Sequence, residues 1–124
     1  IGRANGIDIT GVTIGNGEPG GAPMVDIHFG TEKDGAPYEE AFACSLMSSK
    51  LVCGEGGTAI DITWGLKTVV QSNDIFVSRY ATGVLARAAS GKNAVVYNTM
   101  YLGTGAQAVV DNGYENTTEP NIIK

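Results

Sequence analysis

The sequence predicts an α+β fold in which an antiparallel β-sheet comes first and a helical region follows. Apolar and polar residues alternate over Ile7–Ile14, Met24–Phe29 and Thr58–Leu66, which is typical of half-buried strands. After Asn73 the apolar residues recur at helical spacing instead, which predicts a helix over residues 74–89. The order of these two patterns gives the fold class.

The size of the chain fits one small domain. Its 124 residues include 18 Gly, and 43% are hydrophobic and 17% charged, as in ordinary globular domains. We expect a single unit over 1–124, with the sheet at about 7–70, the helical region at about 73–102 and an extension at 103–124. A chain of this length buries a modest core, so self-assembly is compatible with it.

Charge and composition exclude several functions. Thirteen acidic residues against eight basic ones give a net charge of −5, which argues against broad phosphate neutralisation of nucleic acid. No stretch approaches the roughly 18 uncharged apolar residues of a membrane span, so no membrane role is expected. The one histidine, His28, has no nucleophile and acid at local spacing. We therefore expect no enzyme, no cofactor and no metal site.

The predicted strands are separated by turn signals. Ile7–Thr10 alternates, Gly11 is a candidate bulge, and alternation resumes out of phase at Val12. A run dense in Gly, Asn and Pro leads from there to Met24–Phe29. The two alternating runs are therefore predicted to form a β-hairpin.

The predicted helix has N-cap signals before it and a glycine after it. Phe76, Tyr80 and Val84 lie four apart, with Leu85 in the adjacent row, and Ser72–Asp74 supplies N-cap residue types. Gly91 favours termination. The following segment, 93–102, fits a strand or a second short helix, and 106–110 fits one more strand.

The two cysteines allow several arrangements. A tight hairpin around Ser48 and Ser49 would bring Cys44 and Cys53 into register for an intrachain disulfide. A continuous helix would place them on opposite sides and forbid the bond. The thiols can also stay free, or bridge to neighbouring subunits from the base of a projecting loop. Spacing alone favours free or intrachain cysteines.

This succession of parts resembles the coat proteins of single-stranded RNA bacteriophages, the leviviruses. The likeness covers about residues 7–102: an alternating hairpin, a loop with two cysteines, a strand at Thr58–Trp64, and Thr68–Asp74 leading into a helix. The resemblance implies an intertwined homodimer whose helices pack across the partner's sheet. It further implies an icosahedral shell around the viral single-stranded RNA, hence a virion assembled in the bacterial cytoplasm.

Site residues follow from that resemblance. Cys44 and Cys53 become candidates for inter-subunit disulfides around the shell openings. The RNA-facing sheet surface would carry Thr10, Met24, His28, Asp61, Thr63 and Lys67. Dimer and core packing would use Trp64, Phe76, Tyr80, Val84 and Leu85. Asp8, Asp26 and Asp61 on the RNA-facing surface depart from the family, because carboxylates repel phosphate.

The alternative hypothesis is a secreted β-rich domain for adhesion or carbohydrate binding, closed by a Cys44–Cys53 intrachain disulfide. It predicts a monomer with exposed aromatic side chains in a groove. The coat-protein hypothesis predicts large particles that contain RNA.

Overall fold

The chain forms strands and turns without any helix in the residues that the structure describes. A computed structural model describes residues 1–15 and 25–124 and contains eighteen strands in those ranges. Nearly all of the strand pairs are parallel; one pair is antiparallel. The predicted α+β fold with an antiparallel sheet and C-terminal helices is therefore wrong.

The strands are short, and they follow one another closely. In the first half of the chain they are β1 Ala4–Asn5, β2 Asp8–Thr10, β3 Thr13–Gly15, β4 Val25–Phe29, β5 Thr31–Lys33, β6 Ala36–Glu39, β7 Ala41–Phe42, β8 Ser45–Met47 and β9 Lys50–Cys53. In the second half they are β10 Thr58–Ile62, β11 Gly65–Leu66, β12 Val69–Gln71, β13 Asp74–Val77, β14 Thr82–Ala86, β15 Ala94–Val96, β16 Thr99–Leu102, β17 Gln107–Asp111 and β18 Ile122–Ile123.

Four parallel sheets form the walls of a β-solenoid. Wall A holds β1, β7 and β11; wall B holds β2, β8, β12 and β15; wall C holds β3, β9, β13, β16 and β18; wall D holds β4, β10, β14 and β17. The chain passes through the walls in the order A, B, C, D and then begins the next coil on top of the last. Each coil is thus one structural repeat that contacts only its neighbours. The antiparallel pair, β5 with β6, is a hairpin inserted between the first and second coils.

Apolar side chains stack in register along the inside of the solenoid. On wall B, Val70 lies between Leu46 and Val95, and all three are almost fully buried. On wall C, Leu51, Ile75 and Met100 form the equivalent buried stack. Because each coil covers the core of the one before it, the core is a continuous column.

The corner between walls B and C has a left-handed residue in successive coils. Ser48, Ser72 and Tyr97 have φ of 50°, 57° and 57°. For a residue other than glycine this conformation costs about 1–2 kcal/mol. The residue that follows each of them turns its side chain into the corner, and those residues are Ser49, Asn73 and Asn98.

Buried asparagine amides compensate for these corners. Asn98 Oδ1 accepts hydrogen bonds of 3.0 Å from the backbone N–H and from Nδ2 of Asn73, one coil earlier. Asn98 Nδ2 in turn donates to the carbonyl of Val70 and to Asn121 Oδ1, both at 3.0 Å. Ser49 begins this asparagine ladder and Asn121 ends it. A second, shorter ladder links Asn93 to Asn116 at the corner between walls A and B.

The helix predicted over 74–89 is replaced by β13, a corner and β14. The spacing of four that suggested a helix arises because Phe76 lies on an outward strand position, Tyr80 at the corner, and Val84 on an inward strand position. Asn73, which the sequence predicts to be part of an N-cap, uses its backbone N–H and its side-chain amide in the asparagine ladder instead. The segment 93–102 is likewise two strands, β15 and β16.

The predicted N-terminal hairpin is also wrong. β2 and β3 lie in different walls, and β4 pairs in parallel with β10 of the next coil. Gly11, predicted to be a bulge, is instead the left-handed residue at the corner between walls B and C of the first coil, with φ of 67°. The turn predicted between the two runs falls on residues 16–24, which lie outside the described residues. The strand predicted over 106–110 matches β17.

We predict that Asn98→Ala lowers the free energy of unfolding by about 2–4 kcal/mol, because it leaves several buried ladder groups without partners. Equilibrium unfolding in urea measures the change. Asn112→Ala, at an exposed position, is the matched control and should leave the midpoint unchanged. Equal midpoints for Asn98→Ala and wild type would show that the ladder does not stabilise the fold.

Candidate binding groove on wall C

An aromatic column runs along the outer side of wall C. The parallel register sets Phe76 beside Tyr101, and their rings stack with centroids 4.6 Å apart and an interplanar angle of 7°. The ammonium group of Lys50 lies 5.3 Å from the Phe76 ring centre, and that of Lys124 lies 5.7 Å from the Tyr101 ring centre. Cations thus close both ends of the stack.

A shallow groove of about 440 Å³ lies next to this column, where wall C meets the corner that leads to wall D. It is lined by Phe76, Val77, Ser78, Tyr101, Leu102, Gly103 and Lys124. Aromatic and aliphatic surface with a few polar groups is the usual lining of a site for small molecules or oligomers. The lining residues come from three successive coils, so the shape of the groove depends on the register among them.

Tyr80 lies on the corner between walls C and D, two residues after Ser78, which lines the groove. It occupies a left-handed corner position with φ of 58° and is 63% exposed. Its ring rests on Gly105 of the next coil, where a Cβ would come within 2.6 Å of the ring. Only glycine leaves room for the ring to lie there. The Arg79 guanidinium, 5.4 Å from the Tyr80 ring centre, bonds Glu55 at 2.9 Å and helps to fix the corner.

Apart from this groove, a polar cluster lies on the outer side of wall D, under the β5–β6 hairpin. Arg87 binds both carboxylate oxygens of buried Asp61, with Nε–Oδ1 at 2.9 Å and Nη2–Oδ2 at 2.7 Å. Its Nη1 lies 3.5 Å from a carboxylate oxygen of Glu32 in the hairpin. The hydrogen bond to Asp61 is the main reason why the pKa of Arg87 is raised. This arrangement clamps the hairpin to the solenoid.

The clamp extends to His28. The Thr63 hydroxyl donates to Asp61 Oδ1 at 3.0 Å, so it can only accept from His28 Nδ1 at 3.1 Å. This requires the proton of His28 to be on Nδ1. This chain of hydrogen bonds ends at the exposed ring of His28. The buried Thr63 hydroxyl gives a hydrogen bond to the carboxylate of Asp61, which is 1% exposed.

The residues predicted to face RNA do not share one surface. His28, Asp61 and Thr63 come together on wall D, but Asp61 and Thr63 are buried. Thr10 lies on wall B, and Lys67 lies at a corner with its ammonium 5.5 Å from the Phe42 ring centre. Met24 is outside the described residues. The single flat sheet surface that would unite these six residues is absent from the described part of the chain.

The residues predicted for dimer packing also separate. Val84 is buried inside the solenoid, while Leu85 is half-buried on the neighbouring strand position. Trp64 is half-buried, and its backbone approaches Gly30 so closely that a Cβ on residue 30 would collide with the Trp64 carbonyl group. Phe76 faces outward and lines the groove, and Tyr80 is exposed at the corner that follows wall C. Among residues 1–15 and 25–124 there is no helix whose apolar row could cover a partner's sheet.

Both cysteine thiols are inside the protein. Cys44 and Cys53 are free and 1% exposed; Cys44 lies at the corner between walls A and B of the second coil, and Cys53 is the last residue of β9 in wall C. The tight hairpin that would pair them does not form, because β8 and β9 lie in different walls. The burial of these thiols does not fit an inter-subunit disulfide on the outer surface.

Burial perturbs two acidic groups near wall D. Desolvation raises the pKa of Asp26 from 3.8 to about 6, and Asp26 Oδ2 has no hydrogen-bond partner among the described residues. Desolvation, together with the charge of Asp26, raises the pKa of Cys53 to about 11. A thiol with such a pKa is a poor nucleophile at neutral pH.

Sequence reasoning missed the groove because it missed the repeat. Phe76 and Tyr101 are 25 residues apart, as are Asn73 and Asn98, and Asn121 follows after 23 more. A search for self-similarity at this period would align β13 with β16 and predict the stacked pair. Ser78, Tyr101 and Lys124 were not among the predicted site residues.

Comparisons with protein-family models, with curated proteins and with solved structures found no match. No helix in the described part of the chain is long and apolar enough to cross a membrane. Within residues 1–15 and 25–124 there is also no cluster of three or more His, Cys, Asp or Glu side chains that could hold a metal ion.

We predict that the native protein does not react with Ellman's reagent, because both thiols are buried and the pKa of Cys53 is raised. After unfolding in guanidinium, both thiols should react. Non-reducing electrophoresis should show a single monomer band. Rapid modification of the native protein, or a ladder of disulfide-linked multimers, would contradict the placement of the cysteines.

We also predict a pH-dependent gain in stability for Asp26→Asn. The raised pKa means that the folded state binds more protons than the unfolded state between pH 3.8 and about 6, so Asp26 lowers stability as pH rises through this range. The variant should therefore be more stable than wild type at pH 8 and equal to it near pH 4. Asp34→Asn in the exposed hairpin turn is the control. Thermal unfolding at both pH values gives the comparison, and a pH-independent difference would refute it.

Proposed function

We propose that this protein is a carbohydrate-binding module whose groove on wall C holds a stretch of polysaccharide. The observation that carries the proposal is Tyr80, a largely exposed aromatic ring seated on Gly105 and two residues along the chain from Ser78, which lines the groove. An ordered ring can contact the apolar face of a sugar, while its hydroxyl bonds to the sugar's polar edge. Little conformational entropy is lost on binding, because the ring is already held in place.

The remaining groove residues supply complementary contacts. The edges of Phe76 and Tyr101 give an apolar floor, because their faces are occupied by each other. Ser78 and Lys124 provide polar groups at its side. A solenoid presents such a surface along its length, which suits an extended ligand better than a compact one.

The coat-protein function does not have this support. It was inferred from a resemblance that requires an antiparallel sheet and helices, and the described residues form neither the sheet nor the helices. Size-exclusion chromatography distinguishes the two: the carbohydrate-binding proposal expects a small soluble species, and the shell expects large particles with an absorbance ratio that reveals RNA.

We predict that Tyr80→Ala weakens polysaccharide binding at least tenfold. Affinity gel electrophoresis against neutral β-glucans, chitin fragments and polygalacturonate would first identify a retarding polymer and then compare the variants. Tyr97→Ala is a closely matched control. Tyr97 is also 63% exposed and also has a left-handed backbone, with φ of 57°, but it lies at the opposite edge of wall C.

Equal loss in both variants would assign the effect to general destabilisation, and no retardation by any polymer would refute the proposal. Repeating the measurement at higher salt separates an acidic sugar from a neutral one, because only the former depends on the nearby lysines.

A further inference from the structure

The strand that follows Tyr80 leads directly to the polar cluster under the β5–β6 hairpin. Tyr80 lies at the corner before β14, and Arg87 is the first residue after this strand. The five residues of β14 span roughly 16 Å along wall D. The outer face of one strand therefore joins the groove on wall C to the polar cluster.

A cavity of about 150 Å³ lies at the far end of this strand, between the hairpin and the solenoid. Glu32 and Pro37 line it from the hairpin, and Thr63, Arg87 and Ala88 line it from the corner between walls D and A. The hairpin is an insertion into the solenoid, and insertions in repeat proteins often form the binding face. The cavity has room for one sugar unit or a similar small group.

A buried carboxylate holds Arg87 in place beside this cavity. Asp61 binds the guanidinium group with both of its oxygens. The next two coils have Leu85 and Val110 at the outward position that Asp61 occupies, so apolar residues are compatible with the fold there. A buried ion pair is often no more stabilising than well-packed apolar residues. What Asp61 adds is a fixed orientation of the guanidinium group.

Arg87 and Glu32 keep hydrogen-bonding capacity for a ligand. Arg87 Nη1 lies 3.5 Å from Glu32 Oε2, whereas a charge-assisted hydrogen bond is about 2.7–2.9 Å long. A ligand hydroxyl group can accept a hydrogen bond from the guanidinium group and donate one to the carboxylate. Two carboxylates, those of Glu32 and Asp61, face one guanidinium group, so the cluster has an excess of negative charge. It therefore favours a neutral ligand over an anionic one.

The surface between the groove and the cavity combines polar and aliphatic side chains. Thr82 and Leu85 are the half-buried residues of β14, and its other residues are buried. The register places Thr58 and Gln107 on either side of Thr82, and Val110 beside Leu85. Hydroxyl and amide groups next to an aliphatic strip suit a sugar chain, which has polar edges and apolar ring faces.

We propose that the bound polysaccharide is a neutral one, which runs from the groove on wall C across wall D and places one sugar unit in the cavity under the β5–β6 hairpin. This inference rests on the proposed function. Arg87 and Glu32 bind hydroxyl groups of that sugar unit. A polymer with a carboxylate on every unit does not fit, because one carboxylate would lie beside Glu32 and Asp61. An oligosaccharide that reaches both sites binds more tightly than one that reaches a single site.

The test measures the affinity of the whole protein for neutral β-glucan and chitin fragments, from disaccharide to hexasaccharide, by isothermal titration calorimetry. We expect the wild-type affinity to rise about tenfold or more between disaccharide and hexasaccharide. Ala88→Trp should remove this gain, because an indole at this exposed position fills the cavity. Its affinity for the disaccharide should stay that of the wild type, since the groove is unchanged.

Ala36→Trp is the matched control. Ala36 is exposed in the same hairpin, and it precedes Pro37 in β6, so its side chain points away from the cavity that Pro37 lines. This variant should keep the full gain with length. Equal losses in Ala36→Trp and Ala88→Trp would assign the effect to a disturbed hairpin and overturn the proposal.

Other outcomes separate this proposal from the function on which it rests. If binding depends on Tyr80 but the wild type binds disaccharide and hexasaccharide equally, the ligand is confined to the groove; the carbohydrate-binding function then stands and the path across wall D is wrong. Tighter binding of a galacturonate hexasaccharide than of the neutral ones would contradict the neutral ligand. Absence of binding to every oligosaccharide and polymer would refute both proposals.

Discussion

The structure depends on satisfying backbone and amide groups at the inner corners of each coil. A solenoid with short walls must turn sharply several times per coil, and each turn points polar atoms towards an apolar column. An unpaired buried polar group costs about 1–3 kcal/mol, so a few such groups would cancel the stability of a domain this small. Asn73 and Asn98 solve this by bonding forwards and backwards along the axis. The left-handed residues before them are tolerated because the ladder fixes the corner.

The same ladder determines the outer surface. Once Asn73 and Asn98 are in register, Phe76 and Tyr101 must lie side by side three residues later. The stacked pair, the groove beside it and the seat of Tyr80 on Gly105 all follow from that alignment. Binding residues therefore come from different coils, 23 or 25 positions apart in the sequence, and none of them is informative alone. The proposed carbohydrate site is in this sense a product of the interior packing.

Some of this could be predicted from the sequence, and some could not. Period-two alternation correctly located strands around Asp8–Thr10, Val25–Phe29 and Thr58–Ile62, because each has one face inside. It could not distinguish parallel from antiparallel pairing, since both produce the same alternation. The segment 74–89 was misread because a corner of four residues between two strands imitates helical spacing. The left-handed corners at Ser72 and Tyr97 could not be predicted from residue type, whereas glycine at a corner indicates a positive φ. The repeat of buried asparagines was the signal that would have corrected these errors.

The asparagine ladder is directional, which makes the two ends of the solenoid unequal. Each backbone N–H bonds to the side chain of the following coil, never of the preceding one. Removal of the last coil would strip Asn98 of the acceptor that both its N–H and its Nδ2 use, whereas removal of the first coil would cost Ser49 only one donor. The corner of each coil is thus stabilised by hydrogen bonds to side chains of the next coil in the chain. During synthesis the early coils would wait for later ones to complete their hydrogen bonds, and mechanical peeling from the two ends would meet different resistance.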